Sequence, residues 1–500
     1  MLRVATQALL PSLAMAVTLL VGCYRTNERR EPDAGPPVPD AWRPPPPDAW
    51  APDAFFPVSD CARDRDCEGA ICVHDLSLPP RDLEPVPLHC ASPVGALAPG
   101  SECDANAACD HGLCALAGGC VAPCLDATDC AAGERCTRVP VVTSTSSLQL
   151  ASGCVRWVDP PPGVTVSASE ELSVPRSSNV EMFLEPMISP RRLVLYVADG
   201  VDFDRYISQM TTGAGDVVFD ALTLGSERQR VLIAPYGDVV PVLLPNGDED
   251  FPVGTSFVAR LETGSTSALR RIVLDRETGG STLDLNFFYV GVEPPRAGFP
   301  PAAVVEMLRQ AAELYDTVGL RFGRHRHFVL PGATARRFEV IEDDAEVQDL
   351  FNYSAGAARP AVNVFLIRSA TTFLGVAGGV PGAELVHGTR SSGVAIAFED
   401  LQSYVGMGAP FDVQGTVIGH ELGHFLGFMH TSEADGGVFE PLSDTAECTI
   451  ERDMDGDGML FPYECEGFGV DNVMFWAPFV PSPRFSPRQG QILRNAMVLQ

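Results

Sequence analysis

Three histidines near the end of the chain constrain its fold more than any other feature. His420 and His424 lie four positions apart, so on a helix their side chains stand one turn apart on the same face. Gly427 predicts the end of that helix, because glycine takes positive φ at little cost. The chain can then turn and bring His430 to the other two imidazoles. The spacing therefore predicts three nitrogen ligands for one metal ion, Zn²⁺.

Glu421 follows the first of these ligands directly, so its carboxylate can reach water on a metal held there. Three neutral imidazoles leave the double charge of zinc intact and one coordination position open. Water in that position has a pKa of about 7, and Glu421 can take its proton as a general base. The alternative is a buried helix that carries stray histidines.

The motif resembles the zinc-binding sequence of the metzincin clan of zinc endopeptidases, which also carries a methionine-containing turn beneath the metal. Met474, within Asp471–Trp476, fits that turn. The Gly-rich residues 374–382, and residues 484–491 at the entry to a last helix, are most similar to the pappalysin-like branch. The resemblance implies an α+β catalytic domain that hydrolyses peptide bonds with zinc.

Charge and cysteine distribution narrow the class of protein. The chain has 500 residues, enough for several folded units, and its net charge of −30 argues against nucleic acid as a partner. Of its 15 cysteines, one group lies between Cys61 and Cys154, two are Cys448 and Cys465, and Cys23 stands alone. This distribution predicts disulfides formed in an oxidising compartment.

Residues 1–22 have the composition of a signal peptide, with an apolar run too short for a typical membrane span. They end in Leu-Val-Gly before Cys23, which resembles a bacterial lipobox and implies a lipid anchor on that cysteine. An ordinary signal peptide with a chance cysteine is the alternative. Residues 23–58 are proline-rich and predict an extended tether, or else a ligand for a proline-binding module.

Residues 59–157 predict three small modules with two disulfides each. The cysteines form three quartets, each with Cys-x5-Cys followed by a third cysteine after four or five intervening residues. Pairing within a quartet cannot be deduced from spacing. Zinc binding is the alternative, weakened by the absence of Cys-x2-Cys pairs. The quartets are Cys61, Cys67, Cys72 and Cys90; Cys103, Cys109, Cys114 and Cys120; and Cys124, Cys130, Cys136 and Cys154.

The rest of the chain divides into a β-rich and a mixed segment. Residues 158–292 contain short apolar runs between Gly, Pro and Asp turns, which predicts an all-β sandwich-like domain whose last strand is Leu283–Val290. Residues 293–500 mix helical and strand patterns and predict the metzincin-like α+β domain. We expect Asp412 to cap its zinc helix. An edge strand within Gly375–Pro381 would align substrate by β-augmentation, as the resemblance implies.

A second ion is predicted between the third histidine and the methionine turn. Acidic residues and a glycine there occupy the positions of an EF-hand-type Ca²⁺ loop, bracketed by Cys448 and Cys465. An acidic surface turn is the alternative. The ligand positions are Asp453, Asp455, Asp457, Met459 and Glu464.

These features combine into one hypothesis: a multidomain zinc endopeptidase, lipid-anchored to a bacterial membrane, that acts on protein or peptide substrates. Two other hypotheses stay open. One is a surface-anchored binding or adhesion protein with a vestigial peptidase domain, against which the complete set of ligands and base counts. The other is zinc-dependent hydrolysis of a substrate that is not a peptide.

Overall fold

The computed structural model describes residues 61–77, 85–144, 147–174, 177–198, 205–221, 232–233, 239–247, 250–263, 267–296, 298–406, 413–477 and 483–500. The predicted signal peptide, Cys23, the proline-rich tether and Asp412 lie outside these residues. Across the described part of the chain, no helix combines the length and apolarity that crossing a membrane requires.

Strands dominate the described residues, and helices concentrate in the last two hundred. The strands are β1 (Ile71–His74), β2 (Leu88–Ala91), β3 (Glu134–Ser144), β4 (Ser147–Arg156), β5 (Val164–Val174), β6 (Ser177–Leu184), β7 (Arg191–Ala198), β8 (Arg205–Thr212), β9 (Val217–Asp220), β10 (Leu232–Ile233), β11 (Val239–Leu244), β12 (Phe257–Thr263), β13 (Ser267–Arg276), β14 (Thr282–Val290), β15 (Arg321–Val329), β16 (Val340–Ile341), β17 (Val362–Ile367), β18 (Ser369–Ala370), β19 (Gly375–Ala377) and β20 (Val394–Ala397). The α-helices are α1 (Ala302–Asp316), α2 (Gly332–Phe338), α3 (Asp344–Phe351), α4 (Phe398–Gly406), α5 (Val413–Phe425) and α6 (Pro487–Leu493).

The predicted disulfides of the N-terminal region are confirmed, and each quartet pairs first to third and second to fourth. All twelve cysteines are therefore oxidised in pairs, so the zinc alternative for them is wrong. The bonds join Cys61 to Cys72, Cys67 to Cys90, Cys103 to Cys114, Cys109 to Cys120, Cys124 to Cys136 and Cys130 to Cys154.

The disulfide-rich region packs against the mixed segment instead of standing apart from it. Leu116 and Leu148 are buried in one core with side chains of β14, β17 and α3. Glu102 adds charge to this contact, because Arg324 and Arg326 of β15 lie 2.6 and 3.0 Å from its Oε1. This part of the chain thus helps to cover the sheet on which the candidate site is built.

Two antiparallel sheets face each other in the β-rich segment, one in the order β10-β11-β7-β13-β5 and one in the order β6-β12-β8-β9. Val194 and Tyr196 of β7 point into the core between them. The alternate residues Leu193 and Leu195 point the other way, into a core shared with the helical segment. Because both faces of the first sheet are buried, β7 is apolar along most of its length.

The mixed segment contains a third sheet, in the order β15-β14-β17-β20-β19, parallel except for the edge strand β19. The prediction that Leu283–Val290 closes the β-rich segment is wrong. This run lies in β14, where Leu285 pairs with His325 on one side and Val362 on the other. Burial on both faces explains its continuous apolarity, as is typical of parallel sheets. The boundary at residue 292 therefore belongs before β14.

Helix α1 packs lengthwise on α5 beneath this sheet, and two glycines of α5 permit the close approach. A Cβ on Gly415 would overlap Gln310, and one on Gly419 would lie 2.7 Å from Leu314 Cδ2. The Tyr315 hydroxyl donates to the Gly419 carbonyl at 2.9 Å. The resulting contact holds α5 in a fixed position relative to the sheet.

Candidate functional site

Helix α5 carries the first two histidines, and every one of its residues is buried. The helix ends just before Gly427, which has the positive φ that the prediction requires, 111°. The Gly427 amide donates to the His424 carbonyl and the Phe428 amide to that of Gly423, both at 3.0 Å. These two bonds form a Schellman motif, which reverses the chain and leads it back to His430.

The three imidazoles converge on one point. The Nε2 atoms of His420 and His424 each lie 3.1 Å from Nε2 of His430. The three side chains are buried, with 2–4% of their surface exposed. Two nitrogen ligands on one tetrahedral zinc ion are separated by about 3.4 Å, so this spacing fits a zinc ion at their centre.

Backbone carbonyls define which ring nitrogen of the two helical histidines carries hydrogen. Nδ1 of His420 lies 2.8 Å from the Val473 carbonyl, and Nδ1 of His424 lies 2.6 Å from that of Phe428. A carbonyl only accepts, so each Nδ1 donates and each Nε2 presents a lone pair. Burial lowers the pKa of His420 to about 3 and that of His424 well below its usual range. Neutral lone pairs facing one another form a donor set for a cation.

Glu421 lies beside this set with its carboxylate buried, and its Oε2 has no hydrogen-bond partner. Burial raises its pKa to about 8. The first residue of β19 covers it closely, because a Cβ on Gly375 would lie 2.5 Å from Glu421 Cγ. A carboxylate oxygen without a protein partner at this place can accept a proton from a bound molecule.

Met474 lies against α5 at the turn between the two helical histidines, with no exposed surface. A Cβ on Gly423 would overlap its sulfur. Its amide donates to Asn472 Oδ1 at 2.8 Å, and its carbonyl accepts from the Thr431 amide at 2.9 Å. The segment after the third histidine and the methionine turn are therefore joined directly.

A buried polar chain that sequence reasoning missed supports this turn. Asn472 Nδ2 donates to Gln489 Oε1 at 2.9 Å, and Gln489 Nε2 donates to Glu440 Oε2 at 2.7 Å. Burial raises the pKa of Glu440 to about 8. Gln489 also forms a capping box with Ser486 at the start of α6.

The acidic loop brings together some of its predicted ligands. Carboxylate oxygens of Asp453, Asp455 and Glu464 lie within 4.8 Å of one another, and Asp457 is not in that group. Asp457 instead accepts from the Met459 amide at 2.9 Å. The predicted disulfide between Cys448 and Cys465 is confirmed and closes the loop.

The structure places β19 at the edge of the third sheet, within the segment predicted for it, and antiparallel to β20. Val376 pairs with Ala395 in this register. Gly375 is both the start of this edge strand and the residue that covers Glu421. The edge strand therefore begins beside Glu421.

No family model matches the chain, and no curated protein sequence matches it. Among solved structures, it is similar to mirolysin in complex with a compound, at 14% identity and a TM-score of 0.27, over 43% of this chain and 91% of that chain. It is also similar to metalloproteinase-II from Bacteroides fragilis, at 10% identity and a TM-score of 0.24, over 46% of this chain and 63% of that chain. Both of these structures are metalloproteinases.

Proposed function

We propose that this chain is a zinc-dependent endopeptidase that hydrolyses peptide bonds of extracellular or surface proteins. The observation that carries the proposal is the convergence of three Nε2 atoms, 3.1 Å from His430 to each helical histidine, beside the buried carboxylate of Glu421. His420, His424 and His430 would hold the zinc ion. When bound, zinc polarises water and the scissile carbonyl.

Glu421 is the general base in this proposal. Its unpartnered Oε2 takes a proton from water and passes it to the amine of the leaving group. The buried surroundings of the carboxylate keep competing solvent away from that oxygen. The chain would thus supply the three metal ligands and the base, and it holds Glu421 at a fixed position beside the histidines.

The peptide would bind in an extended form along β19. Main-chain hydrogen bonds to an edge strand align a peptide without regard to its sequence. Gly375 packs directly on Glu421, so a peptide bound along this strand would lie beside the proposed base. This arrangement supports a peptide as substrate over a small molecule.

Ca²⁺ is proposed as a structural cofactor of the acidic loop. Asp453, Asp455 and Glu464 place like charges close together, which is unfavourable without a cation. Asp457 and the Met459 carbonyl complete the proposed ligand set after a local rearrangement. The ion would then stabilise the segment between His430 and Met474 without taking part in the chemistry.

Export and anchoring complete the proposal. The seven disulfides among the described residues favour an oxidising compartment. Lipid on Cys23 would hold the protein at a bacterial membrane, on the cell surface or its periplasmic side, with release as a further outcome. Its substrates would then be proteins that reach that surface.

Substitution of Glu421 by Gln tests the proposed activity, because it removes the base and keeps the three imidazoles. We expect about one zinc ion per chain and a peptidase rate lower by a few orders of magnitude. The His424→Ala variant should lose both zinc and activity. Cleavage profiling of a protein mixture, with and without a chelator, gives the measurement. A Glu421→Gln protein that cleaves at the wild-type rate would show the proposal to be wrong.

A further inference from the structure

The third histidine differs from the other two in the group that faces its Nδ1, the ring nitrogen turned away from the candidate metal position. Backbone carbonyls of Val473 and Phe428 face Nδ1 of the two helical histidines. For His430 the neighbour is a side chain, because Glu433 Oε2 lies 2.9 Å from its Nδ1. The two atoms are close enough for an electrostatic contact, although Nδ1 makes no hydrogen bond in this arrangement.

His430 also lacks the restraint that a helix gives. Helix α5 ends at Phe425, so His430 lies in the segment that follows the Schellman turn. The imidazoles of His420 and His424 are held by the helix and by main-chain acceptors. The orientation of the His430 ring must therefore depend more on the side chain beside it.

The backbone around Glu433 is held in place from two sides. Its amide donates to the Val438 carbonyl, and its carbonyl accepts from the Gly436 amide, both at 3.0 Å. The next carbonyl, that of Ala434, accepts from the Leu460 amide at 2.7 Å. The carboxylate is mostly buried, with 17% of the side chain exposed. It is thus presented to His430 by a closed turn that is anchored to the acidic loop.

We infer that Glu433 is a positioning residue for the third metal ligand. A carboxylate oxygen 2.9 Å from Nδ1 repels a lone pair on that nitrogen, so the hydrogen stays on Nδ1 and the lone pair of Nε2 points at the metal position. It also increases the electron density that Nε2 donates. The inference rests on the proposed function, since it assumes that the three histidines bind zinc. Removing such a partner typically weakens metal binding 10- to 100-fold.

Two substitutions and a matched control test this role. Glu433→Ala removes the carboxylate, and Glu433→Gln keeps its shape without its charge. The control is Asp435→Asn, an exposed acid in the same turn that accepts from the Gly437 amide at 2.9 Å. The zinc dissociation constant of the full chain is measured by competition with a chromophoric chelator. We expect Kd to rise about 10- to 100-fold for Ala, by less for Gln, and not for the control.

The outcomes separate this inference from the proposed function. A wild-type chain that binds no zinc would overturn the proposed function itself. A wild-type chain that binds zinc, with Glu433→Gln and Glu433→Ala binding it equally well, would overturn only the role of Glu433. If the Ala variant fails to fold, the zinc dissociation constant of the isosteric Gln variant alone tests the role of Glu433.

The visible absorption of the cobalt-substituted protein gives a second measurement, since it reports the ligand field of the histidines. The spectrum of Glu433→Gln should differ from that of wild type. A merely structural role for Glu433 would lower Tm and leave the spectrum unchanged, and that result would also overturn the inference.

Discussion

The sulfur of Met474 occupies the space in which a Cβ on Gly423 would lie. Gly423 stands on α5 between the two helical histidines, so the methionine supports the helix at the level of the candidate metal position. No other residue type fits at 423 without displacing the side chain below it.

Gly423→Ala should therefore destabilise the protein. Alanine favours a helix by about 1 kcal/mol over glycine, but forcing atoms into a packed core costs about 1–3 kcal/mol. We expect a net loss in the free energy of unfolding and a lower zinc affinity. The matched control is Gly406→Ala, because a Cβ there meets nothing within 4 Å. Chemical denaturation measures the free energy of unfolding of both variants. An equal increase in that free energy for the two variants would contradict the packing argument.

Calcium should raise the thermal stability of the wild-type chain and support its activity. Asp455→Ala removes a carboxylate from the group in the acidic loop, so calcium should raise the thermal stability of this variant only slightly. At a calcium concentration 100-fold above Kd, the stabilisation is about 2.7 kcal/mol. Tm and peptidase rate are measured in millimolar calcium at constant zinc, with the exposed Glu466→Gln as control. If calcium changes neither quantity in wild type, the loop is an acidic turn only.

The buried carboxyl of Glu384 should make stability depend on pH. Burial raises its pKa to about 7, although the Val498 amide donates to it at 2.9 Å and Arg276 provides an opposing positive charge. The folded protein then binds more protons than the unfolded chain between pH 4.5 and 7. Its free energy of unfolding falls as pH rises through that window and this contribution is constant above it.

Glu384→Gln removes this dependence and keeps an oxygen that can accept from the Val498 amide. Relative to wild type, the variant should become more stable as pH rises from 4.5 to about 7, by about 3 kcal/mol at most. Urea denaturation at several pH values gives the measurement. Parallel curves for the two proteins would mean that Glu384 is ionised throughout.

Membrane anchoring should depend on Cys23. Cys23→Ser keeps the apolar signal sequence but removes the thiol that accepts lipid. The protein should move from the detergent phase to the aqueous phase, or accumulate with its signal uncleaved. Phase partition and the mass of the mature N-terminus are measured. Unchanged partition together with cleavage at another site would exclude the lipobox interpretation.

Much of the candidate site was predictable because it is local in the chain. The helical period puts His420 and His424 on one face, and glycine at 427 ends the helix in the way that its positive φ requires. Ser486 and Gln489 predict the start of α6 for the same reason, since both halves of the capping box lie within four residues. The segment of the edge strand β19, by contrast, came from the resemblance.

Contacts between distant parts of the chain were not predictable in this way. Spacing identified the cysteine quartets, but only the folded modules decided that Cys61 pairs with Cys72. The apolar run of β14 is compatible with the last strand of one sheet and with an inner strand of another. Only the fold places it between β15 and β17.

The sequence by itself determined the candidate ligands, the candidate base and the turn that follows them, because those depend on short-range spacing. Only the tertiary structure decided what surrounds them: Glu433 beside His430, the polar chain from Glu440 to Asn472, and Met474 under Gly423. Except for Glu433, these partners come from segments far apart in the chain. Burial and packing select such contacts, and they leave no period or spacing in a single sequence.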